Sequence, residues 1–222
     1  MTDRGADGII LKPMKDFYEN YWKIRGKAGF RPRYRIFSEW IENGSSVLDI
    51  GCGEGHLGQF LIENNNADYT GCDISEAALE IAKGRGLKTI NLPVDDKLNF
   101  PDKSFDYVIL SEFLEHIVNS EEVLKEAMRI AKLAVLVSIP NSAYWKFRLE
   151  LLFGSSPKQW VISPKEHLRF WSISDFNKTI NSLGFKIEKT KASNGKKVLR
   201  DIWPNLFCFL PCFYVTERKS LH

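Results

Sequence analysis

Asp49, Gly51, Gly53, Glu54, Gly55 and His56 stand together in the stretch Val47-Leu-Asp-Ile-Gly-Cys-Gly-Glu-Gly-His-Leu-Gly58. Alternate glycines let a backbone come close to a bound molecule, and the acids beside them select its charge. A pyrophosphate would meet like charge from Asp49 and Glu54 in a partly dry cleft. A ligand with an ammonium and no phosphate would be attracted. His56 fills the place where a dinucleotide fingerprint carries its third glycine, which argues against a nicotinamide dinucleotide. Downstream, Asp73 lies about 18 residues after Gly55, near the distance expected of an acid that accepts two ribose hydroxyls. The plainer role for Asp73 is to cap the helix that follows. His116, in Ser111-Glu-Phe-Leu-Glu-His116, and His167, in Glu166-His-Leu-Arg169, are candidate general bases. An imidazole can take a proton from a hydroxyl or ammonium near neutral pH. The alternative for each is a structural hydrogen bond.

These residues need elements to place them. Val47, Leu48 and Ile50 read as a buried parallel strand over 46–50 that stops at the glycines, and Leu57, Phe60 and Leu61 start a helix over 56–64. Further strands are expected at 69–72, 88–92, 106–110, 133–139, 186–191 and 213–217, with helices at 76–83, 120–131 and 174–183. Two leading helices are expected at 14–25 and 34–42. Strands alternating with helices give an α/β fold: three layers, Rossmann-like, with a mostly parallel seven-stranded sheet. The strand at 213–217 closes as an antiparallel partner of the one at 186–191. Ligands of such sheets bind beyond the carboxyl ends of the strands. That rule draws attention to Val94-Asp95-Asp96, to Ser111, and to the segment after Ile139.

The segment 141–172 is long for a connection and rich in aromatics, including Tyr144, Trp145, Phe147, Trp160 and Trp171. It reads as a lid or substrate insertion. Trp145, Leu149 and Leu152 fit one face of a packed helix within it. Phe17-Tyr18-Glu-Asn-Tyr21-Trp22 and Arg25 read as an amphipathic helix in the leading region, 1–44.

The length of 222 residues suits one domain, and 44% hydrophobic with 27% charged residues marks a globular chain. A net charge of +3 is too small to argue for nucleic acid. The basic clusters Arg31–Arg35 and Lys186–Arg200 read as solvated faces. Cys52, Cys72, Cys208 and Cys212 form no Cys-x-x-Cys pair and read as reduced, buried thiols of a cytoplasmic protein. No apolar run is long enough to span a bilayer. No internal repeat, low-complexity stretch, second-domain linker or metal-ligand spacing stands out.

From its Asp-x-Gly-x-Gly-x-Gly signature and the acid in Gly71-Cys-Asp73, the chain resembles the class I S-adenosylmethionine-dependent methyltransferases. The resemblance implies S-adenosylmethionine as cofactor and S-adenosylhomocysteine as product. It implies contacts from Asp49, Gly51, Cys52, Gly53, Asp73, Ile74 and Ser111, and an adenine contact from Asp95. It also implies a leading helix whose Tyr18, Tyr21 or Arg25 closes over the methionine end of the cofactor. The resembled fold inserts the final strand between strands 5 and 6. Leu114-Glu-His116 is similar to a segment common in small-molecule methyltransferases, with His116 as base, His167 as second candidate and a small-molecule acceptor. Phe100-Pro-Asp-Lys-Ser-Phe-Asp-Tyr-Val-Ile-Leu110, Val137-Ser-Ile-Pro-Asn141, the segment from Trp145 to Gly154, and Trp203-Pro-Asn-Leu-Phe207 resemble the MetW-like group. That likeness implies an alternative: a regulatory partner of an acyltransferase in methionine biosynthesis that keeps the cofactor site.

Overall fold

A computed structural model of the protein describes residues 16–22, 29–92, 98–157 and 167–218. Seven strands form one sheet: β1 (Ser46–Ile50), β2 (Asp68–Asp73), β3 (Lys88–Asn91), β4 (Phe105–Ser111), β5 (Ala131–Ser138), β6 (Phe185–Gly195) and β7 (Cys208–Glu217). Their order is β3-β2-β1-β4-β5-β7-β6. β3, β2, β1, β4 and β5 pair in parallel, and β7 runs antiparallel to both β5 and β6. The expected insertion of the last strand is therefore present.

Apolar runs without alternation become central strands because both faces are covered. Val47 and Leu48 are neighbours in the chain, yet they enter different cores, since successive side chains point to opposite faces. Val47 packs with Phe37, Leu61, Tyr69, Tyr107 and Leu136. Leu48 packs with Val108, Leu110, Leu124, Phe176 and Phe213. The helices that cover the sheet are α2 (Pro32–Trp40), α3 (His56–Asn65), α4 (Glu76–Gly84), α5 (Ser120–Ile130) and α7 (Ile173–Ser182). α1 (16–22) precedes α2, and α6 (Trp145–Leu152) follows β5.

Three expectations need correction. α2 starts two residues early, at Pro32, and stops at Trp40. Proline suits a first helical turn, where its missing N–H has no partner to lose. β7 begins at Cys208 rather than Phe213. Pro211 lies just past the segment paired with β5, which ends at Ser138 opposite Cys212, so its missing donor interrupts no β5 ladder. In α6, Leu149 and Leu152 are exposed, Leu152 at 76%, and Phe147 is the buried residue. Phe147 packs on Tyr144 and Phe209, with ring centroids 5.9 and 6.0 Å away. Trp145 is half-buried, with Lys196 Nζ 4.8 Å from its ring centre.

Among the described residues, no helix is long and apolar enough to cross a membrane. All four cysteines are free, with three buried and Cys52 partly exposed.

Candidate functional site

The loop after β1 turns on glycines at three positive φ angles: 76° at Gly51, 54° at Gly53 and 76° at Gly55. A side chain at any of them would be strained. Gly51 N and Cys52 N both donate to the Cys72 carbonyl, at 2.8 and 3.0 Å, which ties the loop to the end of β2. Asp73, at that end, accepts from Gly53 N and from Ser75 N, each at 2.9 Å. Ser75 caps α4 by accepting from Ala78 N at 3.2 Å. Capping thus falls to Ser75, while Asp73 joins the glycine loop to the turn before α4. Ile74, between them, is half-buried.

Asp49 lies beneath the loop and is buried. Its Oδ2 accepts from the Tyr69 hydroxyl at 2.7 Å. Burial pushes the Asp49 carboxyl up to about 7, and the Asp73 charge adds to this, while the Tyr69 hydrogen bond opposes it. Burial also raises Asp73, against the backbone donors that favour its charged form. Glu54 departs from its expected role. Arg85 Nη2 sits 3.6 Å from its carboxylate, and Arg85 Nε donates to its carbonyl at 2.8 Å.

α1 spans this corner. Its Glu19 accepts from Glu76 N at 2.5 Å and from Ala77 N at 3.2 Å, at the first turn of α4. The Trp22 ring lies against Gly53, where an added Cβ would come within 2.6 Å of Cζ2. Tyr18 meets the His116 ring edge-on at 5.9 Å, and Tyr21 packs on Trp22. One short helix therefore touches the loops that follow β1, β2 and β4. Phe113 covers Gly51 from the other side, 2.3 Å from where a Cβ would stand. Arg25 and Asp95, both expected at the site, lie outside the described residues.

Arg33, expected within a solvated basic cluster, instead turns its side chain inward to the tip of β4. Its Nε donates to Ser111 Oγ at 2.9 Å, and its Nη2 pairs with Glu112 at 2.7 Å. Ser111 Oγ also lies 3.2 Å from Ser138 Oγ. Glu112 holds a positive φ of 51°, unusual for a residue with a side chain. The available signal for Arg33 was its position directly before Tyr34, which enters the core at the start of α2.

His116 and His167 come together, their ring centroids 5.0 Å apart. His116 ends a 3-10 turn, Leu114–His116. The segment carrying His167 docks on that turn, because Leu168 N and Arg169 N both donate to the Glu115 carbonyl, at 2.7 and 3.1 Å. Arg169 fixes the segment further through the Val118 carbonyl and through Glu121 at 3.2 Å. Glu115, unremarked in the sequence, is 1% exposed. Burial, then the charge of Glu112, pushes its carboxyl well above the usual range.

Strand order, glycine turn and acid coincide with a match along most of the chain: a family model described as "Methionine biosynthesis protein MetW" covers residues 31–215. The chain belongs to the MetW family. The bifunctional methionine biosynthesis protein MetXA/MetW of Rhodopirellula baltica is 30% identical over 188 residues, covering 76% of this chain and 30% of that protein. A ubiquinone biosynthesis O-methyltransferase of Albidiferax ferrireducens is 31% identical over 173 residues, covering 71% of this chain and 63% of that protein. This MetW-family chain thus spans less than two thirds of either curated relative. Among solved structures, a SAM-dependent methyltransferase from Archaeoglobus fulgidus superposes with a TM-score of 0.62 at 20% identity, over 84% of this chain and 91% of that one. The fold is that of the class I methyltransferases.

Proposed function

We propose that this MetW-family protein binds S-adenosylmethionine over the glycine loop and passes its methyl group to a small-molecule acceptor, leaving S-adenosylhomocysteine. The carrying observation is the pair of buried acids, Asp49 and Asp73, on either side of a loop whose backbone bends through three left-handed glycines. An ammonium near Asp49 gains a charge partner, and ribose hydroxyls suit Asp73. Gly51, Cys52, Gly53, Ile74 and Ser111 line the remainder, with Asp95 at the adenine. Tyr18 and Arg25 belong to the leading segment that closes over the methionine end. Of the segment 141–172, the described aromatics Tyr144, Trp145 and Phe147 are the ones we assign to the acceptor side.

A sulfonium methyl needs no further activation. Once bound, S-adenosylmethionine would supply an already activated methyl group, with its sulfur as leaving group. The protein's task is to align acceptor and methyl and exclude water. Where the acceptor must lose a proton, His116 is the first candidate base and His167 the second. Free thiols suit a cytoplasmic setting. Titration calorimetry with S-adenosylmethionine and S-adenosylhomocysteine tests the site, and absence of heat from both sinks it. Label moving from methyl-labelled cofactor to an extract metabolite supports the enzyme.

A second reading has its own observation: the Rhodopirellula relative joins a MetXA part and a MetW part in one protein. In that reading the cofactor site regulates an acyltransferase partner. Co-purification with a homoserine acyltransferase, with no label transfer, favours it.

A further inference from the structure

We infer that Glu115, His116 and His167 form a binding site for a divalent transition-metal ion of the zinc class. One donor atom from each residue lies within 4.8 Å of the others. Ligands of a tetrahedral zinc ion, with bonds of about 2.0–2.1 Å, stand roughly 3.4 Å apart. Ion binding would therefore draw the three donor atoms closer together than they stand here.

A second observation points to a cation independently. Glu115 Oε2 is buried with no hydrogen-bond partner among the described residues. A carboxylate removed from water needs a partner of opposite charge or a full set of donors. Arg33, at the tip of β4, is held by Glu112 and Ser111. A metal ion held between the Glu115 carboxylate and the two imidazoles would give that buried carboxylate an opposite charge.

The chain builds the set locally and across distance. The Leu114–His116 turn presents Glu115 and His116 in succession. Two backbone hydrogen bonds to the Glu115 carbonyl bring in residues 168 and 169, and with them His167. Two imidazoles and one carboxylate suit zinc and its neighbours better than magnesium or calcium, which prefer oxygen alone. Three protein ligands leave a position open, the arrangement of sites that act on a bound molecule rather than only bracing the fold. Tyr18 of α1 meets His116 edge-on and Trp22 of the same helix lies against Gly53, so the cluster and the glycine loop share α1 as a neighbour. A hydroxyl bound to the ion loses its proton more readily. This step rests on the proposed methyl transfer: with His116 and His167 serving as ligands, the ion would replace them in helping the acceptor lose its proton.

Protein stripped with chelator and titrated with Zn2+ by calorimetry should bind one equivalent. Co2+ should give the visible absorption of a low-coordinate nitrogen and oxygen site. Glu115→Gln, His116→Ala and His167→Ala should each weaken Zn2+ by at least about tenfold. Thermal melts identify any variant that is unfolded, and the three distinct positions keep the test open if one is lost. No Zn2+ binding by the wild type, or equal affinity in all folded variants, overturns the inference. S-adenosylmethionine affinity is measured on the same stripped protein, so loss of the metal site and loss of the cofactor site are read separately.

Discussion

Asp49 sits at the boundary between two charge states. Its ordinary value is near 3.8, and burial lifts it to about 7. Between those values the native protein holds a proton that the unfolded chain releases. Stability should therefore fall as pH rises from about 4 to about 7, and level off above. Urea midpoints across that range check this, and Asp49→Asn should flatten the slope. Binding of an ammonium favours the charged carboxylate. S-adenosylmethionine affinity should then weaken below pH 7, by up to about tenfold per unit. Near pH 7 its binding should release protons, visible as heats that change with the ionisation enthalpy of the buffer. Asp73 carries both the loop and, in the proposed function, the ribose. Asp73→Ala should weaken the cofactor by about 1.5–3 kcal/mol, the scale of a hydrogen bond to a charged group. The same variant frees two backbone N–H groups, so calorimetry needs a melt beside it.

At the scale of elements, α1 is a strap across the loops that follow β1, β2 and β4. Glu19 acts as a cap supplied from outside α4, replacing water on the N–H groups of Glu76 and Ala77. Glu19→Ala should cost about 0.5–2 kcal/mol of local stability, read as faster limited proteolysis within residues 16–22. Arg33 links α2 to the tip of β4. Arg33→Met should lower stability by about 1–3 kcal/mol, because Glu112 loses its partner while Glu115 stands nearby; a thermal melt measures it. The strands and their glycine turn were legible in the chain, since Val47, Leu48 and Ile50 announce a doubly covered strand and Gly51, Gly53 and Gly55 its sharp end. Arg33 with Glu112, and Glu115 with His167, were not. Such pairs join residues far apart in sequence, and no local spacing encodes which arginine of a basic run turns inward. The packing of α6 was misjudged for a related reason. An eight-residue helix outside the sheet is positioned by one ring, Phe147, and not by a complete apolar stripe.

Across the whole molecule, β7 is the joint between two halves of the sheet. It pairs with β5 on one side and β6 on the other, with Phe213 and Val215 in the core and Cys212 in the opposite one. Removal of residues 208–217 should abolish the cooperative thermal transition seen by far-UV circular dichroism, whereas removal of a surface turn of similar length should not. Synthesis makes β6 before β7, yet β6 reaches the sheet only through it. A refolding molecule that has stacked its first five strands keeps a bare backbone flank along β5 until the tail loops back. Pulse-labelled amides of Phe185–Gly195 should gain protection no sooner than those of Cys208–Glu217, and crowded refolding should aggregate through that waiting edge.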